Sequence, residues 1–137
     1  MSRSKVDNVE IVERVEVADY IFPFEKLEVW KLSKAFAVKI YKNTENFPNE
    51  EKFGLVSQLR RAAVSVSSNL AEGSSRKSKK DQAHFSQIAY SSLMEVLCQL
   101  EIAKDIGYIS ENDLQDLRSD ASKIAYMINS LRKSQTC

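Results

Sequence analysis

Gln58, Arg61, Ser65, Asn69 and Glu72 recur at steps of three and four, and they form the most distinctive constellation in the chain. On a helix those steps place all five in one column. A solvated helix face scatters its polar residues and favours Lys and Glu. A column of Gln, Arg, Ser, Asn and Glu instead offers donors and acceptors in register, suited to bonding one another or a partner. Buried without partners, Arg61 and Glu72 would each carry a heavy desolvation cost. They are therefore expected either to pair, with Glu95 on the next helix as a candidate, or to face another subunit. The column reads as a structural or interface polar network, with direct ligand contact as the alternative.

Beyond the column lies a second kind of chemistry. Gly73 is expected to stop the helix, and Ser74-Ser-Arg-Lys-Ser-Lys-Lys80 then forms a basic connector. Residues 56–80 hold Arg60, Arg61, Arg76, Lys77, Lys79 and Lys80 against Glu72 alone, although the whole chain carries a net charge of only +1. A local cationic excess suits a polyanion, because each neutralised phosphate releases counterions. Arg60, Arg76, Lys77, Lys79 and Lys80 are accordingly the candidate nucleic-acid-binding residues. A plain solvated loop is the competing reading, and few aromatic residues stand nearby in sequence to stack bases.

Catalytic chemistry finds little material. The one histidine, His84, lies 14 positions from Cys98, or about 21 Å along a single helix, too far for a Cys–His pair. His84 is expected at the surface or its boundary. Gly54, Gly73 and Gly107 are isolated, so no phosphate-cradling loop exists. A di-iron bundle needs Glu-x-x-His on two helices, and Glu72, Glu95 and Glu101 have no such histidines. No serine sits beside a base. The chain reads as non-enzymatic, with no cofactor and no metal.

The elements that position these residues follow from composition and periodicity. Three glycines and two prolines in 137 residues leave too few turns for a sheet-rich fold. Hydrophobic residues at 43% and charged residues at 28% mark a globular chain long enough for one core without disulfides. Two cysteines, Cys98 in an apolar helical pattern and Cys137 at the end, suggest a reduced cytoplasmic protein with a buried thiol. No apolar run approaches a membrane span, and no signal-peptide block follows the N-terminus.

Residues 1–23 form an arm in which Val9, Ile11, Val15 and Val17 alternate with charges, a strand-like pattern with nothing here to pair with. It is expected to be mobile or ordered against another subunit. A first helix is predicted from Phe24 or Glu25 to Glu45, with Val29, Ser33, Phe36, Ile40 and Thr44 on one face. Asn49 is the expected cap of a second helix running to Glu72. Ser78 with Asp81 announces a third, whose buried edge is Phe85, Ile88, Ala89, Ser92, Val96, Gln99 and Ala103, ending at Gly107. Ser110 with Asp113 opens a fourth, along which Leu114, Leu117, Ala121, Ile124, Ile128 and Leu131 form a clean heptad. Short connections between such helices predict an all-α, antiparallel up-down-up-down four-helix bundle over residues 24–134.

Phe24-Glu-Lys-Leu-Glu-Val-Trp30, Phe47-Pro-Asn-Glu-Glu-Lys-Phe-Gly-Leu55, Gln58-Leu-Arg-Arg-Ala-Ala63, Asn69-Leu-Ala-Glu-Gly73, Phe85-Ser-Gln-Ile-Ala89 and Leu93-Met-Glu95 occur in a telling order. In that order the chain resembles the four-helix-bundle proteins encoded within intervening sequences of bacterial 23S ribosomal RNA genes, over about residues 24–130. Where that family usually has Gly-Ser in the third helix, this chain has Ser91-Ser92. The resemblance implies a four-helix bundle assembled as a homopentamer and associated with ribosomal RNA. It also extends to the accessory variability protein of diversity-generating retroelements, which implies a reverse transcriptase as an alternative partner. Arg60, Arg61, Asn69, Glu72, Gly73 and Glu95 match the family motif by position, and the connector lysines match in basic character.

Overall fold

The computed structural model describes residues 20–136. The strand-like pattern of the arm and Cys137 lie outside the described residues. Four helices follow a short 3-10 turn at Pro23–Lys26: α1 Glu28–Thr44, α2 Leu55–Ser74, α3 Lys79–Ile106 and α4 Glu111–Thr136. Each packs against its neighbour in the chain, α1 also packs against α4, and the diagonal pairs do not approach. The result is the antiparallel four-helix bundle in up-down-up-down order. Among the described residues, no helix is long and apolar enough to cross a membrane.

The apolar stripes meet at the centre. Val29, Phe36 and Ile40 of α1, Leu59, Ala63 and Val66 of α2, Leu93, Val96 and Leu100 of α3, and Leu117, Ile124 and Ile128 of α4 are all buried. Two small polar residues share the α1 stripe because each can bond its own helix. Ser33 donates to the Val29 carbonyl and Thr44 to the Ile40 carbonyl, both at 2.7 Å, so their hydroxyls are satisfied without water.

The helix ends show which boundary signals act. Ser78 Oγ accepts from the Asp81 N–H and Ser110 Oγ from the Asp113 N–H, each at 3.1 Å. Gly107 ends α3 at φ +98°, a left-handed conformation that favours glycine. Four expectations are corrected. The first α-helix begins at Glu28 rather than at Phe24 or Glu25, because Pro23–Lys26 closes as a 3-10 turn and Leu27 is extended. Asn49 opens only a 3-10 turn, Asn49–Glu51; the α-helix begins at Leu55, after Gly54 leaves the helical region. Gly73 does not stop α2, which runs on to Ser74; it is buried where α2 crosses α3, and a Cβ there would lie 2.9 Å from Phe85 Cβ. Cys98 is exposed, not buried, because it falls on the outward row of α3 with Met94 and Ile102.

Two polar clamps tie the frame outside the core. Lys39 of α1 donates to Asp116 and Asp120 of α4 at 2.8 and 2.7 Å. The hydrogen bond to Asp116, then that to Asp120, raises its ammonium pKa above the ordinary lysine value. At the end of the bundle that holds the α1–α2 and α3–α4 connections, Tyr108 Oη donates to Glu51 Oε2 at 2.9 Å. Glu51 Oε1 meanwhile accepts from the Leu55 N–H and caps α2. The bond from Tyr108 to that carboxylate raises the Tyr108 pKa.

Two measurements check this frame. Gly73→Ala should gain about 1 kcal/mol of helix propensity but lose more through overpacking against Phe85, which costs about 1–3 kcal/mol. A lower urea midpoint is therefore expected, and a higher one would contradict the close crossing. Lys39 gives a pH signature. A raised folded pKa means that the unfolded chain releases the proton first as pH rises. The stability difference between the native chain and Lys39→Met should be constant from pH 7 to about pH 10 and shrink above it in chemical-denaturation series. A difference that grows with alkali would refute the clamp.

Candidate nucleic-acid interface

The polar column of α2 lies along its seam with α3 and meets a matching column there. Arg61 donates to Glu95 Oε2, and Ser65 and Ser92 share a hydrogen bond at 2.9 Å. Asn69 Nδ2 donates to the Ser65 carbonyl and to Ser65 Oγ at 2.8 and 3.0 Å. Gln99 Nε2 donates to Gln58 Oε1 at 3.2 Å and to Glu95 Oε2 at 3.1 Å. Gln58, Arg61, Ser65 and Asn69 are thus brought into one ladder between two helices. Glu72 stands outside it, exposed, with Arg76 Nη2 3.7 Å from its carboxylate.

The partners on α3 were visible only in part. Ser92 and Gln99 read as members of a core edge, yet with Glu95 they repeat at steps of three and four, as the α2 column does. Two polar columns with the same period on successive helices were the available signal. Gln99 is buried, and its Oε1 has no hydrogen-bond partner among the described residues. An orphaned buried acceptor is a liability. Replacing Gln99 with Met, of similar size, should therefore leave stability unchanged or raise it by about 1 kcal/mol, since the half-buried Glu95 and exposed Gln58 can turn to water. A fall in urea midpoint would show that this carbonyl is satisfied in solution.

The cationic residues divide into two places. Arg60 is half-buried on the opposite flank of α2. Its Nε donates to Thr44 Oγ1 at 3.0 Å and Nη2 to the Tyr41 carbonyl at 3.2 Å, and its guanidinium lies 4.5 Å from the Tyr41 ring centroid. Arg60 lies fourteen positions before Ser74 on α2, about 21 Å away, so the structure separates Arg60 from the connector.

Arg76, Lys77, Lys79 and Lys80 do come together, on residues 75–78 and the first turn of α3. Arg76 rests on the Phe85 ring at 4.7 Å. Lys77, Lys79 and Lys80 are exposed and form no ion pair with any described residue. Lys79 and Lys80 also occupy the first two positions of α3, where the helix dipole favours acids and opposes cations. Local stability does not explain lysines there; the same positive helix end would add to their pull on an anion.

Neither lone reactive side chain finds a catalytic setting. His84 is exposed, and its ring meets that of Phe85 at a steep angle of 74° with centroids 5.5 Å apart. No group of three or more His, Cys, Asp or Glu side chains among the described residues could hold a metal ion.

Comparison with known proteins gives this geometry its context. The family model described as "23S rRNA-intervening sequence protein" matches residues 25–130. Among solved structures, a protein of unknown function from the S23 ribosomal protein family of Bacteroides thetaiotaomicron is similar at 26% identity and a TM-score of 0.69. The match covers 77% of this chain and 98% of that one. No curated protein matches.

Proposed function

The chain belongs to the 23S rRNA-intervening sequence protein family, and on that premise we propose that it is a non-enzymatic, oligomeric RNA-binding bundle of the cytoplasm. Its partner is structured ribosomal RNA, and the contact is the connector between α2 and α3. The observation that carries this reading is the set Lys77, Lys79 and Lys80, exposed and free of carboxylate partners among the described residues. Arg76 joins them from its seat on Phe85. Arg60 serves instead as a staple between α1 and α2. The ladder from Gln58 to Asn69 with Glu95 holds the helix pair that presents the connector.

Self-association is part of the proposal, because it multiplies a modest charge. Val38 and Tyr41 on α1, Val64 on α2, and Ile102 and Ile106 on α3 are exposed in the single chain, apolar surface of the kind that a subunit contact removes from water. A homopentamer would repeat the connector five times around a ring and raise the local field accordingly.

Filter binding of ribosomal RNA fragments across a salt series tests the contact. The native chain should bind saturably at low salt. Exchanging Lys77, Lys79 and Lys80 together for Gln should flatten the log–log salt slope by about 2–3, since each phosphate left without its cation removes about 0.7–0.9 from the slope. An unchanged slope would remove the connector from the reading. The mass of the intact assembly, measured by sedimentation or native mass spectrometry, tests the ring.

A further inference from the structure

Distant in sequence from the connector, an aromatic segment is folded back onto the same end of the bundle. Tyr20 and Phe22 meet edge to face at 5.3 Å, Phe22 lies nearly parallel to Phe24 at 6.2 Å, and Phe24 packs edge-on against Trp30 at 4.7 Å. Tyr20 and Phe22 remain 59% and 54% exposed. These rings are therefore held in place by one another yet face water, an arrangement that costs hydrophobic stabilisation unless something covers them.

Between this segment and the last turn of α2 runs an open groove of about 460 Å³. Phe22, Pro23 and Phe24 form its aromatic wall; Ser68, Ala71, Glu72, Ser74 and Ser75 form the other. The polar wall is rich in acceptors. Ser74 and Ser75 donate their hydroxyl protons to the Ala71 and Glu72 carbonyls, each at 2.7 Å, so each hydroxyl oxygen keeps lone pairs able to accept. The residue after Ser75 is Arg76, where the cationic connector begins.

We propose that this groove is a subsite for an unpaired nucleobase of single-stranded RNA, stacked on the Phe22 wall while flanking phosphates lie on Lys77, Lys79 and Lys80. The inference rests on the RNA-binding reading above and adds what part of the RNA is read. A flat apolar ring facing acceptors fits a base, whose faces stack on aromatics and whose amino and imino groups donate. Charge complementarity is supplied within a few residues by the connector. A base paired within a duplex has both faces stacked and its Watson–Crick donors engaged, so the subsite selects loops, bulges or ends.

The test compares a single-stranded oligonucleotide carrying 2-aminopurine with a fully paired RNA duplex of equal phosphate number, using the whole chain. Native protein should quench the 2-aminopurine on binding. Phe22→Ala and Phe22→Leu should weaken the single strand by about tenfold with the salt slope unchanged, should leave duplex affinity unaltered, and should abolish the quenching. Phe22→Trp should restore both. Exchanging the three lysines for Gln should weaken both RNAs. The subsite is overturned if duplex still binds but the Phe22 variants behave as native. It is equally overturned if they change assembly mass rather than single-strand affinity, which would mean that a second copy of the chain covers the rings. Failure of both RNAs to bind native protein at low salt would instead remove the RNA-binding reading itself, and the subsite with it.

Discussion

The close crossing of α2 and α3 sets the terms for the rest of the molecule. It is the most extensive helix contact in the bundle, and it depends on small side chains. Ala62, Ala63 and Gly73 on one helix and Ala89 and Ser92 on the other are buried, and Gly73 and Ser92 meet the facing helix directly. At Gly73 there is no room for even a methyl group beside Phe85. Such a seam forgoes large apolar side chains, and the polar ladder compensates by pairing donors with acceptors across the gap. Because α2 and α3 lie so close, four residues, 75–78, suffice to join them. A link that short cannot fold back over itself, so its cations stay in solvent.

Energetically, the bundle divides its labour. The central stripes supply the apolar burial that drives folding. The ladder adds direction: hydrogen bonds between facing columns penalise a slip of one helix along the other, since each donor would lose its acceptor. Arg61 and Glu95 are substantially exposed, so their ion pair adds little net stability; its contribution is to alignment. Lys39 and Tyr108 act likewise at other edges, tying α1 to α4 and the Asn49–Glu51 turn to the segment that follows Gly107. Lys77, Lys79 and Lys80 face no carboxylate among the described residues, and they cluster at the pole opposite the Tyr108–Glu51 bond.

That end also receives the N-terminal aromatic segment. The antiparallel order brings the start of α1, the end of α2, the start of α3 and the end of α4 to one pole. Residues 22–24 thereby line one groove with residues 68–75 of the far-off second helix and its end, the stretch that leads into the cations of residues 76–80. Stacking surface and phosphate-binding charge are the two parts that single-stranded nucleic-acid sites combine.

The local pattern of the chain was enough to specify the four helices, their buried faces and most of their ends. Stripes such as Leu114–Leu117–Ala121–Ile124–Ile128 state their periodicity within one element, and Ser78, Gly107 and Ser110 act within a single turn. Tertiary packing decided everything that depends on which surfaces meet. Gly73 reads as a helix stop because glycine often ends helices, but what it provides is space for Phe85 of the next helix. Cys98 reads as buried among apolar neighbours, and the rotation of α3 turns it outward. Arg60 and Arg61 adjoin in sequence and part by about 100° on a helix, so one staples α1 and the other joins the α3 ladder. The connector reads as poor in aromatics because sequence distance hides what a folded pole assembles. Helical periodicity is a short-range property that the residues carry themselves, whereas proximity between distant segments exists only once the helices have packed.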